Sequence, residues 1–251
     1  MANIKQELSL NRDLLIVSAI SLITVLMWHF IPYGRIILYP FILLGTWFHE
    51  MGHGLTALIL GGNFLKLELF ADGSGVAYWS GDVFGMNFGK AAVAAGGPIA
   101  PTIIGALFLI LSTNPKRAKL INLLFAFALA LSTAIWIRSL FGAILIIVFA
   151  IIFFFIAVRS SDRFNKFTLQ FIAIQAFMSM YLSIDYLFSS SGTTEVGIYY
   201  SDTYHIAENL LLPYWFWAGA ICLFSILMIV LSFRILLNTK SKQKAINTAL
   251  Y

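Results

Sequence analysis

Long apolar runs constrain this chain more than any other feature. Of its 251 residues, 60% are apolar and only 11% are charged, whereas an average soluble domain has about 25% charged residues. A soluble fold with so few charges could not cover its own surface, but lipid accepts such a composition. The sequence therefore predicts an integral, multi-pass membrane protein that forms one membrane-embedded domain over residues 1–251.

Apolar segments of about 20 residues predict an all-α polytopic fold with about seven transmembrane helices. The first segment is too long for the apolar core of a signal peptide, and no small-residue cleavage site follows it, so we expect it to stay in the protein. The predicted spans are 14–33, 36–60, 91–112, 118–136, 139–158, 167–188 and 213–237.

The basic residues predict the orientation of these spans. Lys and Arg mark cytoplasmic loops, and they cluster after the third, fifth and seventh spans. The 189–212 loop has three acidic and no basic residues, so we expect it outside, and seven spans then place the N-terminus outside. The clusters are Lys116, Arg117 and Lys119; Arg159, Arg163 and Lys166; and Lys240, Lys242 and Lys244.

The composition disfavours a nucleic-acid partner, a disulfide and a cysteine-rich metal site. The net charge of +5 comes mainly from these loops and the tail, which indicates contact with a lipid bilayer and no nucleic-acid partner. Cys222, the single cysteine, excludes an intrachain disulfide and a thiolate-rich metal site.

Segment 63–88 predicts a small β-hairpin directly after the second span. Leu65, Leu67 and Leu69 alternate with polar residues at the period of a strand, and the stretch 72–75 is typical of a turn. The unpaired edge of such a hairpin could accept an extended peptide as an added strand. An ordinary connecting hairpin is the alternative interpretation.

The second span contains the pattern H-E-x-x-H, formed by His49, Glu50 and His53. Residues four apart lie on one helix face, so two imidazoles can bind one metal ion. Glu50 can take a proton from a water molecule that the metal activates, and zinc suits two imidazoles with one carboxylate. The alternative is a buried polar cluster that only holds helices together.

A third ligand must come from elsewhere in the chain, and two aspartates are candidates. Asp185 lies near the end of the sixth span, and a carboxylate within an apolar run is a functional hypothesis by default. Asp202 follows Ser201, and either residue could cap a short helix that leads toward Pro213. The residues alone slightly favour Asp185, although a solvated position at the membrane interface would also explain it.

Two further segments are candidates for the site. Gly96, Gly97 and Pro98 belong to a stretch, 95–101, whose glycines and prolines predict irregular backbone that lines a cavity. Close packing of helices through small residues is the alternative. Arg138, between the fourth and fifth spans, could pair with an aspartate or a peptide carboxylate, or simply extend to the interface.

In this order, the motifs resemble those of the site-2 protease family of intramembrane zinc metallopeptidases, and most closely its compact bacterial B-like branch. The resemblance extends from about residue 36 to 237. Its elements are the H-E-x-G-H motif at 49–53, Gly73-Ser74-Gly75-Val76, the small-residue and proline motif 95–101, the Arg-x-x-Phe-Gly element 138–142 and the Ser-Asp motif 201–202 with its following helix.

This resemblance implies zinc ligands His49 and His53, a catalytic base Glu50 and a location in a bacterial cell membrane. Its late Ser-Asp motif shifts the preferred third ligand to Asp202, with Asp185 as the alternative. The better-known members carry an Asn-Pro-x-x-x-x-Asp-Gly segment, and neither aspartate here is followed by glycine. Those members also place the hairpin on the cytoplasmic side, whereas the charges here predict it outside.

The predicted function is hydrolysis of peptide bonds in or near transmembrane segments of membrane-protein substrates, in regulated proteolysis. The rival hypothesis is a metal-binding membrane protein without protease activity, either a metal carrier or an inactive protease-like scaffold. A carrier usually distributes its ligands over several spans and needs no general base. Glu50 beside two clustered histidines therefore favours an enzyme.

Overall fold

The computed structural model describes residue 16 and the ranges 19–194 and 197–249, which are mostly helical. Two short β-hairpins interrupt the helices. The helices are α1 (Ala19–His29), α2 (Gly34–Ile59), α3 (Asn87–Leu111), α4 (Pro115–Ile135), α5 (Leu140–Arg159), α6 (Asp162–Leu182), α7 (Ile184–Leu187), α8 (Asp202–Asn209) and α9 (Tyr214–Ala249). The strands are β1 (Asn63–Leu69), β2 (Gly75–Ser80), β3 (Ser191–Thr194) and β4 (Gly197–Tyr200).

Four described helices, α3, α4, α5 and α9, are long and apolar enough to cross a membrane. Helices α1 and α2 meet the same criterion only as a pair, and they are bent by 117° at the break between them. The described part of the chain thus has four to five candidate spans. The mostly helical membrane architecture with a small hairpin is confirmed, whereas the predicted count of seven spans is not.

Helix α6 explains part of this difference. It was predicted as the span 167–188, but it begins at Asp162, ends at Leu182 and buries Asn165, Gln170 and Gln175. Asn122 Nδ2 on α4 donates to the backbone oxygen of Asn165 at 2.9 Å and to its side-chain oxygen at 3.0 Å. Gln175 Nε2 likewise donates to Thr24 Oγ1 of α1 at 3.2 Å. Such buried polar residues lower the apolarity of α6.

Helix α3 corrects the prediction that residues 95–101 form irregular backbone. The helix runs unbroken with Pro98 and Pro101 inside it, because neighbouring helices in a membrane protein can compensate for the backbone hydrogen bonds that proline removes. A Cβ on Gly52 of α2 would overlap the carbonyl oxygen of Gly96. Close packing of small residues, the alternative interpretation, is therefore what brings α2 and α3 together.

The predicted hairpin is present directly after α2. Strands β1 and β2 pair antiparallel, from Asn63 opposite Ser80 to Leu69 opposite Gly75. In the turn, the N–H of Ser74 donates to Asp72 Oδ1 at 2.8 Å, and Gly73 has a φ of 95°, which favours glycine. The strands occupy 63–69 and 75–80, a shorter stretch than the predicted 63–88.

A polar cluster lies on one face of this hairpin. Lys66 Nζ donates to Glu68 Oε1 at 2.9 Å and lies 4.2 Å from the centre of the Tyr78 ring. The hydrogen bond from Lys66, supported by one from Tyr78, holds the pKa of Glu68 below its ordinary value against the opposing effect of burial. Glu68 is thus an ionised, paired carboxylate.

The outer edge of β1 is already occupied by the turn between α4 and α5. Leu67 donates its N–H to Trp136 O at 2.8 Å and accepts from the Arg138 N–H at 2.9 Å. The N–H of Leu69 donates to Ser139 Oγ at 2.9 Å. The hairpin is therefore anchored through β1, and β2 is its other edge.

An aromatic cluster packs beside the histidine-bearing turn of α2. Phe48 stacks on Phe125 of α4 with ring centroids 5.6 Å apart, and Phe125 meets Phe153 of α5 edge-to-face at 4.9 Å. Trp47 Nε1 donates to Ser132 Oγ at 3.1 Å. These contacts fix the rotation of α2, because its aromatic residues face α4 and α5.

The chain between α6 and α9 is more structured than the predicted outside loop. A helical turn, α7, and an antiparallel hairpin of β3 and β4 come first, and the sequence patterns did not predict that hairpin. The predicted short helix after Ser201 is confirmed as α8, and Ser201 is its N-cap, with Oγ accepting from the Tyr204 N–H at 3.3 Å. This cap places Asp202 in the first turn of α8.

Candidate metal centre

Three side chains from two distant parts of the chain converge on one point. His49 Nε2 lies 3.0 Å from Asp202 Oδ2, and His53 Nε2 lies 3.2 Å from Asp202 Oδ1. The two Nε2 atoms are 3.2 Å apart. Among the described residues, these three form the one group of histidine and acidic side chains placed to hold a metal ion.

Asp202 is held in place by a buried hydrogen-bond network around the start of α8. Ser201 Oγ donates to Ser189 O at 2.7 Å, and Thr203 Oγ1 donates to Leu187 O at 2.7 Å. The backbone N–H of Asp202 donates to Tyr186 Oη at 3.1 Å. Ser201 and Thr203 are fully buried, so the network joins α7 and the start of α8 into one support for the carboxylate.

His53 is oriented by the backbone of α3. Its Nδ1 lies 2.8 Å from the carbonyl oxygen of Val93. A carbonyl can only accept a hydrogen bond, so Nδ1 carries the proton and Nε2 presents its lone pair to His49 and Asp202. Histidine ligands in metalloproteins commonly have this arrangement, in which a carbonyl fixes the tautomer that can bind metal.

The geometry fits a tetrahedral ion such as zinc. Two nitrogen ligands of one tetrahedral zinc lie about 3.3 Å apart, given zinc–nitrogen bonds of about 2.0–2.1 Å, and the two Nε2 atoms are at 3.2 Å. Asp202 Oδ2 is buried and accepts no hydrogen bond from the described residues, although His49 Nε2 is 3.0 Å away. A shared cation would satisfy that oxygen and both imidazole lone pairs.

Gly97 provides a second observation in favour of this fit. A Cβ added at Gly97 would overlap His53 Nε2 and would lie 2.8 Å from His49 Nε2. The α3 backbone thus approaches the two imidazoles more closely than any other residue type would allow.

The carboxylate of Glu50 lies in the same cavity. Its Oε2 accepts a hydrogen bond from the Ala77 N–H of β2 at 2.7 Å, and the side chain is buried. A Cβ on Gly75 would lie 2.9 Å from Glu50 Cγ, so the hairpin packs directly on the carboxylate-bearing side chain.

The cavity around these groups has a volume of about 720 Å³. It is bounded by α2, by β2 with its preceding turn, by the start of α3 and by the α6–α8 segment. The residues from the hairpin and from the late segment that line it include Gly75, Val76, Ala77, Trp79, Tyr186, Ile198, Tyr200 and His205.

The chain matches the family described as Peptidase M50B-like over residues 16–232. It belongs to the peptidase M50B-like family. This membership confirms the resemblance to the site-2 protease family. No curated protein and no solved structure matches the chain significantly.

The other predicted site residues of this M50B-like protein occupy different positions. Asp185 is exposed on α7 and is not part of the described His-His-Asp group. Gly96 packs on α2, Pro98 is buried within α3, and neither is among the described lining residues of the cavity. The Arg138 guanidinium donates to the carbonyl oxygens of Ile137 and Ile135, so it closes the end of α4.

Sequence reasoning missed the groups that orient the ligands of this M50B-like protein. The Val93 carbonyl has no sequence signal, because any residue type presents a carbonyl there. Tyr186 and Thr203 lie next to the candidate aspartates, and only the fold shows that they support Asp202. His205, also missed, lines the cavity and pairs with Glu208 at 3.1 Å. Its position three residues after Asp202 on one helix was a signal that could have found it.

Gly97→Ala is expected to weaken zinc binding while leaving the fold in place. The added methyl group would displace the His53 imidazole, so we expect an affinity loss at least as large as the roughly 10–100-fold that follows loss of an outer-shell partner. Zinc titration of the purified protein measures it. The matched control is Gly219→Ala on α9, where a Cβ meets no atom within 4 Å; equal zinc affinity in both variants would contradict the close approach.

Proposed function

We propose that this protein is a zinc-dependent protease that hydrolyses peptide bonds in or near transmembrane segments of other membrane proteins. The observation that carries the proposal is the convergence of His49, His53 and Asp202 beside Glu50 in one cavity of an M50B-like chain. The proposed setting is regulated proteolysis in a bacterial cell membrane. The proposed partners are membrane-protein substrates and the lipid bilayer, not nucleic acid.

The proposed chemistry divides the roles among these residues. His49, His53 and Asp202 hold zinc, which when bound polarises a carbonyl and acidifies water. Glu50 is the general base: it accepts a proton from the attacking water and later transfers it to the leaving amine. Because Ala77 engages Oε2 of Glu50, we assign Oε1 to the proton transfer.

Strand β2 is the proposed binding edge for an extended substrate. Leu67 and Leu69 use their backbone groups on the outer side of β1, so by the alternation of an antiparallel ladder their partners Ala77 and Gly75 direct backbone groups to the outer side of β2. The Ala77 N–H donates to Glu50, so the Ala77 carbonyl and the Gly75 backbone groups are the proposed contacts for a substrate. Both residues line the cavity. A peptide bond in a helix is shielded by its own hydrogen bonds, and pairing with β2 stabilises the unwound form that can be attacked.

Reconstitution tests the function. The purified protein, placed in lipid vesicles with a single-span substrate, is expected to contain about one zinc per chain and to cleave the substrate. A chelator should stop cleavage, and added zinc should restore it. Stoichiometric zinc without cleavage of any single-span substrate tested would favour the inactive scaffold, and zinc that crosses the vesicle membrane would favour a carrier.

A further inference from the structure

The bundle has two ends that differ in their loops. Helices α3 to α6 are joined by connections of two to four residues, so successive helices run in opposite directions. The α3–α4 turn and the α5–α6 turn therefore lie at one end. The contact of Asn122 with Asn165, near the starts of α4 and α6, brings those two turns together.

Helix α9 ends on the same side. Ala218 and Ile221 pack in one cluster with Ala91 and Ala94 of α3, and farther along Thr102 Oγ1 donates to Ser225 Oγ at 3.1 Å. The two helices are therefore parallel. Beyond Leu236 the helix continues to Ala249, past the end of α3.

This end carries most of the basic residues of the chain. Of the sixteen Lys and Arg residues, ten belong to these two turns and the latter part of α9. Of the other six, Lys5 and Arg12 lie outside the described residues, and Arg35 lies over the ring of Trp28, which lines the cavity. At the opposite end lie Lys66, paired with Glu68, Arg138, engaged by backbone carbonyls, and Lys90. The ten are Lys116, Arg117, Lys119, Arg159, Arg163, Lys166, Arg234, Lys240, Lys242 and Lys244.

The cavity belongs to the end with few basic residues. Its walls include β2, α7 and the first residues of α3 and α8. Gly97, beside the imidazoles, is ten residues from the start of α3 and fourteen from its end. At 1.5 Å per residue, the candidate metal centre lies about 15 Å from the hairpin end of α3 and about 21 Å from its basic end.

We propose that the catalytic cavity opens away from the cytoplasm, and that the enzyme cuts its substrates in the half of the transmembrane segment farther from the cytoplasm. Clusters of basic residues stay on the cytoplasmic side during membrane insertion, and here the clusters, which hold ten of the sixteen Lys and Arg residues, lie at the end opposite the cavity. The site is therefore reached from the non-cytoplasmic surface. The statement about substrates rests on the proposed protease function, whereas the orientation does not.

The distance of the candidate metal centre from the hairpin end of α3 indicates where in a substrate the scissile bond would lie. A depth of about 15 Å corresponds to about ten residues of helix, or about five residues once the segment is extended at about 3.3 Å per residue. Suitable substrates have a scissile bond within this distance of the non-cytoplasmic end of their span. In the better-known members resembled by this chain, the hairpin faces the cytoplasm, so this protein would serve a different set of cleavage sites.

Cysteine labelling in intact cells decides the orientation. With Cys222→Ala as background, Asp82→Cys places a thiol before α3 at the cavity end, and Asp162→Cys places one at the start of α6 at the basic end. Both positions are exposed, and each variant removes one negative charge. A membrane-impermeant maleimide is expected to label Asp82→Cys in intact cells and Asp162→Cys only after the membrane is opened. The reverse pattern, or equal labelling of both, would overturn the proposal; labelling in detergent verifies that both thiols react.

The position of the cut tests the second half of the proposal. A single-span substrate of known orientation is cleaved in vesicles, and the products are identified by mass spectrometry. A cut in the half nearer the non-cytoplasmic end is expected, and a cut in the cytoplasmic half would overturn it. Absence of any cleavage would refute the protease function instead, while the labelling result would still decide the orientation.

Discussion

Glu50→Gln is expected to reduce cleavage of a transmembrane substrate by about 10²–10⁴-fold while leaving bound zinc unchanged. Glutamine keeps the size of the side chain and can still accept the Ala77 N–H through its amide oxygen, but it cannot accept the proton of the attacking water. The ligands His49, His53 and Asp202 are untouched. Cleavage rate and zinc content, measured on the same preparation, separate these two effects.

Glu68→Gln is the matched control for this prediction. Glu68 lies on the same hairpin as Ala77, but it pairs with Lys66 and is not among the described residues of the cavity wall. We expect its loss to leave the cleavage rate close to that of the wild type. Equal activity of Glu50→Gln and the wild type would remove Glu50 from the mechanism, and loss of zinc in Glu50→Gln would show that this residue supports the centre structurally.

Asp202→Ala is expected to lower the zinc content from about one ion per chain to almost none, whereas Asp185→Ala keeps it. The Asp202→Ala variant keeps only His49 and His53, and catalytic zinc sites use three protein ligands. Asp202 oxygens lie 3.0 and 3.2 Å from the two imidazoles, whereas Asp185 is exposed on α7. Metal analysis of the two variants beside the wild type measures the difference.

Both variants shorten the same kind of side chain within one connecting segment, so each serves as a control for the other. A preparation of Asp202→Ala that elutes as a folded monodisperse species is required for comparison, and His49→Ala should match its zinc content. Retention of zinc in Asp202→Ala with loss in Asp185→Ala would mean that the third ligand is the other aspartate.

The parts of the site that were predictable from the sequence are those encoded by local periodicity. His49 and His53 face one point because a helix brings residues four apart together, and the period-two pattern around Leu67 specified the hairpin. The third ligand was different. Patterns alone slightly favoured Asp185, whereas the structure places Asp202 beside the two histidines, because the position of each aspartate depends on how α7 and α8 fold back onto α2 far along the chain.

Failures of prediction also have local physical causes. Pro98 and Pro101 predicted irregular backbone, but α3 continues as a helix through both, packed against α2 where Gly52 meets Gly96. The lengths of the apolar segments predicted seven spans, more than the four to five candidate spans of the described residues. Gln170 and Gln175 lower the apolarity of α6 although neighbouring helices bury them, and the break after α1 divides another apolar run.

Gly97 closes one side of the candidate metal centre, and this closure limits the directions from which a peptide could reach the centre. Because the α3 backbone lies against both imidazoles, the proposed protease would receive its peptide from the hairpin side and release the fragments by the same route. On this proposal, a fragment still paired with β2 would block the binding of the next substrate. Departure of that fragment, rather than scission of the bond, can therefore set the turnover rate of such an enzyme.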